Sequence, residues 1–381
     1  MEIQGKVGSL IYTRLIIRRH DLKKFYDYFK NIFLVTLPVL IVLLIILEVF
    51  FRLIIPASNP PGGYFDEKEK VYLHDNRGET GMFTIGRFAE IRTQWSINNF
   101  GCNYPIDYNP NKDKNLIAVI GDSYIEAFQV DVNKNYPYLL REKLFQEYEV
   151  YAFGISGAAL SQYLYLSRYI NKYFDPDIFI FNICHNDFDE SIYELYPDRY
   201  YFLQVSFNNG DIIETTPRPN YTMGQYNPWQ RAIKKSALFR YLWYNIKVSN
   251  YRNFFLETEF EANIKPDIVK KQEKMIFSAT NYLIRTIKNE NANKRIIFIV
   301  DAPRTAIYSN SLNDSEVLWM NDMLGLVCNN NNVEFLDLTE YMKEDFQKRN
   351  KKFNSEIDYH WNEYGHQFVA GILYDYLSHK N

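Results

Sequence analysis

Seventeen consecutive residues, Asn31 to Leu47, carry no charge and are mostly Leu, Ile and Val. A helix that is apolar all round has no polar face to offer water, so it belongs in lipid or wholly inside a core. At about 1.5 Å per residue the run is about 25 Å long. A hydrocarbon core is about 30 Å thick, so a spanning helix is expected to continue to around Ile55. That extension holds Glu48 and Arg52, which can pair on one helix face. Upstream, Lys6, Arg14, Arg18, Arg19, Lys23, Lys24 and Lys30 outweigh Glu2, Asp21 and Asp27. The positive-inside rule therefore places residues 1–30 in the cytoplasm and everything after Pro56 outside. A cleaved signal peptide fits less well, because the basic region is long and the nearest small-residue site is only Ala57-Ser58. The expectation is a single-pass inner-membrane protein, anchored by residues 31–55, with its working part extracytoplasmic (periplasmic).

Residues 56–112 open with the turn-rich Asn59-Pro60-Pro61-Gly62-Gly63 and continue in short, broken, β-like pieces such as Glu90 to Ile97. They read as a linker and small lead-in. From residue 113 the rhythm changes. Apolar runs at Leu116–Ile120, Val150–Phe153, Ile178–Cys184, Arg295–Val300 and Val333–Leu338 alternate with helical patterns at Tyr136–Gln146, Leu160–Phe174, Ile268–Lys288 and Asn362–Leu377. Strands apolar on both faces, alternating with helices, predict an α/β fold with a mainly parallel sheet covered on both sides. Between about 190 and 262 the alternation lapses into an insert carrying Tyr193, Tyr196, Tyr200, Tyr201, Tyr221, Tyr226, Trp229, Trp243 and Tyr244. It reads either as a lid over a site or as a helical subdomain with its own packing.

A formal net charge of −3 removes the simplest argument for nucleic-acid binding. The three cysteines, Cys102, Cys184 and Cys328, have no C-x-x-C spacing and suggest neither a zinc site nor a disulfide framework. Aromatics reach 17%, with 32 Tyr, which suits a cleft for a polar, ring-shaped ligand or reflects compositional bias.

Four short pieces carry chemistry. Gly121-Asp122-Ser123 lies where the first strand of the sheet ends, and strand carboxyl ends line the crevice of such sheets. Near the other end stands Asp358-Tyr359-His360, just before a helix. A serine hydroxyl needs a base to take its proton, and the base needs an acid to fix its tautomer. Asp and His two apart in an extended segment point the same way, so the carboxylate can reach Nδ1. Gly157, after the second strand, and Asn186, after the third, would supply an N–H and a side-chain amide to an oxyanion, with the Ser123 N–H as a further donor.

Taken together, Gly121-Asp122-Ser123-Tyr124, Gly154-Ile155-Ser156-Gly157, Cys184-His185-Asn186-Asp187 and Asp358-Tyr359-His360 resemble the four blocks of the SGNH/GDSL hydrolases. The resemblance covers about residue 115 to the end, the insert excepted. It implies a flavodoxin-like three-layer α/β/α domain over residues 113–381, esterase or acyltransferase activity, and no cofactor or metal. The catalytic residues would be Ser123, His360 and Asp358, and the oxyanion hole Ser123, Gly157 and Asn186. Two features depart from the common pattern. Asp and His are two apart instead of three, as in membrane-tethered branches whose last block is Asp-x-His-Trp, here Asp358 to Trp361. Cys184 stands where glycine is usual, with a side chain that could crowd the oxyanion pocket.

Other residues compete for roles. His366 with Asp358 could form a metal site, and Asp301 or Asp337 could replace Asp358 as the acid. Glu126 reads as a first-turn helix-dipole partner, and Trp361 as packing or a substrate wall. The expected activity is removal of acyl, especially acetyl, groups from an envelope or exported carbohydrate, with envelope polysaccharide machinery as a possible partner. An O-acyltransferase with the same residues, and a silent glycan-binding scaffold, remain as alternatives.

Overall fold

The computed structural model describes residues 23–379, apart from 25, 27, 112, 200–201, 217–233, 247–263 and 265. Lys6, Arg14, Arg18 and Arg19 lie outside the described residues, as do Tyr200, Tyr201, Tyr221, Tyr226 and Trp229 of the insert. The apolar run forms helix α1, Tyr28–Leu53, of 26 residues. At about 39 Å it is long enough to cross a bilayer. It starts earlier and ends sooner than the sequence reading placed it. Most of its Leu, Ile and Val side chains face outward, away from the protein core, while Leu47 packs beside Phe51, Ala57 and Ala237. Glu48 and Arg52 pair at 2.6 Å, as their spacing predicts.

The lead-in comprises two antiparallel hairpins, β1 (Gly63–Asp66) with β2 (Val71–His74), and β3 (Thr80–Ile85) with β4 (Ile91–Ser96). The main sheet contains β5 (Asn115–Gly121), β6 (Tyr148–Gly154) and β7 (Ile178–Ile183). In the insert, β8 (Val205–Asn208) and β9 (Asp211–Glu214) form a separate hairpin, and β10 (Arg295–Val300) and β11 (Glu334–Asp337) complete the main sheet. The strand order is β11-β10-β7-β5-β6, all parallel. Renumbered within the sheet this is 2-1-3-4-5, the flavodoxin-like order. The order reverses between β5 and β7, so the crevice at their carboxyl ends is where such a sheet binds ligands. Ser123 follows β5 and Asn186 follows β7.

Between the strands lie helices α2 (Ser123–Glu126), α3 (Tyr136–Leu144), α4 (Leu160–Phe174), α5 (Asn186–Glu190), α6 (Glu273–Glu290) and α7 (Leu318–Asn330), and after the last strand come α8 (Thr339–Arg349) and α9 (Glu363–Ser378). Helix α3 packs against α9, while α6 packs against both α4 and α7, giving two helical layers. β7 is buried along its whole length and β5 beyond Asn115, which is why both read as continuous apolar runs.

β6 is an edge strand of the sheet, and a parallel edge exposes unpaired backbone groups. The lead-in covers it. Tyr108 Oη donates to Ala152 O at 2.6 Å and accepts from Ala152 N–H at 2.9 Å, and Tyr104 Oη donates to Val150 O at 2.6 Å. Both rings are buried, Tyr108 against Tyr151 and Phe153 and Tyr104 against Tyr108. Much of the aromatic excess therefore goes into packing: Tyr104, Tyr108, Tyr136 and Tyr163 all lie in the core.

Two sequence expectations change. The helix expected over Ile268–Lys288 is interrupted at Gln272, which leaves helical geometry between Pro266–Lys271 and α6. The insert contains a β-hairpin as well as short helix. Its two-residue turn, Asn209-Gly210, has both φ values positive, at 51° and 95°, the geometry that matches the twist of paired strands and favours Asn-Gly.

Candidate active site

β5 ends at Gly121, and Asp122 caps the single turn of α2 by accepting the Tyr124 N–H at 2.9 Å. This leaves Ser123 as the first helical residue, with its side chain partly exposed. α2 lies so close to β6 that a Cβ on Gly154 would come within 2.0 Å of the Glu126 nitrogen. Only glycine fits there.

The last block reaches Ser123 from the far end of the chain. Ser123 Oγ lies 2.7 Å from His360 Nε2, and His360 Nδ1 lies 2.6 Å from Asp358 Oδ1. The same oxygen accepts the His360 backbone N–H at 2.9 Å. With Nδ1–H donated to the carboxylate, Nε2 is the acceptor facing the serine hydroxyl. A two-residue separation is what lets one carboxylate oxygen take both N–H groups.

A buried network holds this loop in place. Trp361 Nε1 donates to Asp301 Oδ1 at 3.0 Å, and Arg304 pairs with Asp301 at 3.0 Å. Arg304 also donates to Tyr124 Oη at 2.6 Å and lies over the Tyr359 ring at 4.1 Å. Asp301 is thus committed to Arg304 and Trp361. Asp337 is committed to Asn321 and to the Thr339 N–H. Trp361 is fully buried, as packing requires. His366 is buried too. Its Nδ1 accepts the Tyr136 N–H at 3.2 Å, and burial pushes its pKa down to about 3. Among the described residues, no group of three or more His, Cys, Asp or Glu is placed to hold a metal ion.

Gly157 takes φ +79°, the left-handed conformation that favours glycine. Among the described residues, neither the Ser123 N–H nor the Gly157 N–H has a protein acceptor. Asn186 opens α5, and its Nδ2 donates to Glu190 Oε2 at 3.1 Å. An amide nitrogen has two hydrogens, so one is fixed by Glu190 and the other has no acceptor among the described residues. Glu190 pairs with Arg199, whose other terminal nitrogen donates to Gly157 O at 3.0 Å. Burial raises the Glu190 pKa to about 7, against the opposing pull of Arg199 and Asn186. The Glu190–Arg199 pair was not legible in the sequence, because Arg199 lies inside the aromatic insert.

Cys184 directs its Sγ at Asp122 Oδ1, 3.8 Å away, and burial raises its thiol well above the usual range. Glu126 is more than a dipole partner. It is buried, contacts His74 Nε2 at 2.7 Å, and accepts from both the Ser156 N–H (3.0 Å) and the Ser156 hydroxyl. Burial opposes the charged form of His74, but the Glu126 contact outweighs it and raises the His74 pKa. The lead-in is thereby joined to the loop carrying Gly157.

Two cavities flank this region. One of about 220 Å³ is lined by Arg92, Thr93, Gln129, Asp358, His360 and Glu363. The other, of about 430 Å³, has His74, Glu126 and Ser156 among apolar walls that include Phe83 and Phe128.

No curated protein sequence matches the chain. Solved structures that match the chain include LAE5, an α/β hydrolase from the metagenome of Lake Arreo, at 14% identity and TM-score 0.38, covering 68% of this chain and 93% of that one. A lipolytic G-D-S-L family protein from Veillonella parvula matches at 12% identity and TM-score 0.37, over 67% and 94%. The lipase/acylhydrolase of Enterococcus faecalis matches at 12% identity and TM-score 0.37, over 70% and 96%. The model of the GDSL-like lipase/acylhydrolase family matches residues 119–368, a span that takes in Ser123, Gly157, Asn186, Asp358 and His360. The chain belongs to the GDSL-like lipase/acylhydrolase family.

Proposed function

We propose that this protein is a membrane-anchored serine esterase that removes short acyl groups, acetyl above all, from an envelope or exported carbohydrate. One observation carries the reading: the hydrogen-bonded chain from Ser123 Oγ through His360 to Asp358, at 2.7 and 2.6 Å. Ser123 Oγ attacks the ester carbonyl while His360 Nε2 takes its proton. Asp358 holds the imidazole in the required tautomer and stabilises the imidazolium. The oxyanion is received by the Ser123 N–H, the Gly157 N–H and the free amide hydrogen of Asn186. His360 then returns the proton to the leaving sugar oxygen. In the second half it activates water, which attacks the acyl carbon and frees Ser123.

The substrate class is supported by the cavity beside His360, whose lining of Arg92, Thr93, Gln129 and Glu363 suits hydroxyl-bearing groups better than a long acyl chain. The membrane reading is supported by the outward-facing apolar length of α1. It places residues 1–30 in the cytoplasm and the domain from 113 onward in the periplasm, with 56–112 forming one wall of its site. A fluorophosphonate probe tests the reading directly. The probe is expected to phosphonylate Ser123, located by peptide mass spectrometry, and to leave His360→Ala unlabelled. Labelling of another serine would overturn it. Release of free acetate from an O-acetylated polysaccharide, without transfer to a second sugar, is the expected reaction.

A further inference from the structure

The insert returns to α1 at one described segment. Residues 234–246 include the short helix Ala237–Arg240, which continues as a wider turn through Tyr241–Asn245. One face of this segment is fixed to the protein. Glu48 of α1 accepts from the Ser236 hydroxyl and from the Ala237 and Leu238 N–H groups, at 2.7, 2.9 and 3.0 Å. Arg52 donates to Lys235 O at 2.8 Å, and Phe51 stacks on Tyr241 at 3.8 Å. Asn245 is buried, accepts the Ser58 N–H and donates to Thr84 Oγ1.

The opposite face is apolar and partly open to solvent. Phe239, Leu242, Trp243 and Ile246 are 50%, 39%, 62% and 37% exposed. Their spacing of i, i+3, i+4 and i+7 puts them on a single helical stripe. A soluble surface rarely presents such a stripe without a partner.

The attachment point says what the partner is. Glu48 lies five residues before Leu53, the end of α1, so the segment meets α1 about 7.5 Å inside its outer end. Phe50 and Leu53, on the same stretch of α1, and Ile54 just after it are exposed and apolar. A helix lying in a membrane interface sinks its apolar face about 5–10 Å into the boundary between headgroups and acyl chains. Tryptophan favours that zone, and Lys235, exposed at the start of the segment, puts a positive charge beside it. The tip of the β3–β4 hairpin, where Phe88 is 74% exposed, adjoins the segment through the Tyr241 hydroxyl, which donates to Arg87 O at 2.9 Å.

We infer that residues 234–246 form an interfacial foot, which lays Phe239, Leu242, Trp243 and Ile246 into the outer leaflet of the membrane that α1 crosses. The inference rests on the membrane-spanning reading of α1 proposed above. With α1 and the foot both engaged, the domain is held at a fixed tilt over the lipid and does not swing on a linker.

The test uses the full chain in vesicles of phosphatidylcholine and phosphatidylglycerol, carrying one environment-sensitive fluorophore at Trp243→Cys, Leu242→Cys or Leu43→Cys. The native cysteines are buried. The labels at 242 and 243 are expected to lose emission to lipid spin-labelled high on the acyl chain and to resist aqueous iodide. The Leu43 label is expected to respond to lipid spin-labelled deep in the chain. If the Leu43 label behaves so while both foot labels are quenched by iodide and not by lipid, the foot faces water and the inference fails alone. Foot labels shielded from both quenchers would indicate a second protein surface and overturn it equally. A Leu43 label quenched only by iodide would remove the anchor reading and the foot with it.

Discussion

Arg199 donates to the carbonyl oxygen of Gly157 at 3.0 Å through one guanidinium nitrogen, while the other pairs with Glu190, the carboxylate that holds the Asn186 amide. A single side chain from the insert thus bridges the two outer donors of the proposed oxyanion hole. Donors of this kind act by being fixed before charge develops. Arg199→Ala is therefore expected to lower kcat by about 10- to 100-fold with little change in KM, since removing a donor outright costs about 10²–10³. Arg199→Lys should recover only part of the loss, because an ammonium cannot span both partners in a fixed fork. Steady-state kinetics on a small acetyl ester check this, and a change confined to KM would count against it.

Glu190 gives the site a pH signature. Burial raises its carboxyl from an ordinary 4.5 to about 7, with Asp189 and Asp122 adding to the rise and Arg199 and Asn186 opposing it. The folded protein then binds a proton that the unfolded chain has released between those values. Its contribution to stability is full below about 4.5 and is lost as pH climbs through about 7. Wild type is expected to lose stability relative to Glu190→Gln between pH 5 and about 8. Urea melts of the two proteins across that range measure the difference. A gap that does not change with pH would contradict it.

The Asp301–Arg304 pair lies wholly inside the protein and carries the loop that presents Asp358 and His360. Arg304→Met leaves Asp301 charged and buried without its partner, a change that costs about 3–5 kcal/mol. Urea denaturation should show that loss. The folded fraction should also have a reduced kcat, because Tyr124 and the Tyr359 loop lose their shared contact. A variant with the stability of wild type would show that the pair is dispensable.

The sequence carried the parts of the fold that depend on local pattern. β5 and β7 are buried on both faces, so their apolar runs marked strands of a covered parallel sheet, and the residue types after them marked the crevice. The contact between Asp358 and His360 was legible because two-residue spacing in an extended segment fixes a shared direction. What stayed hidden depends on contacts across long stretches of chain. Arg199 lies 42 residues from Gly157, and Tyr108 lies 44 from Ala152. No periodicity announces either contact. Glu126 was underrated because its partner His74 comes from the lead-in, whose broken pattern gave no reason to dock it there. The β8–β9 hairpin could have been found: Asn209-Gly210 between short β-forming runs is a recognised turn signal.

The most direct test of the account is hydrolysis of p-nitrophenyl acetate by the full chain in detergent, wild type beside Ser123→Ala and His360→Ala. The Ser123–His360–Asp358 chain predicts that each variant loses activity by a factor of about 10³ or more while keeping the wild-type melting behaviour. Equal rates in all three proteins would contradict it.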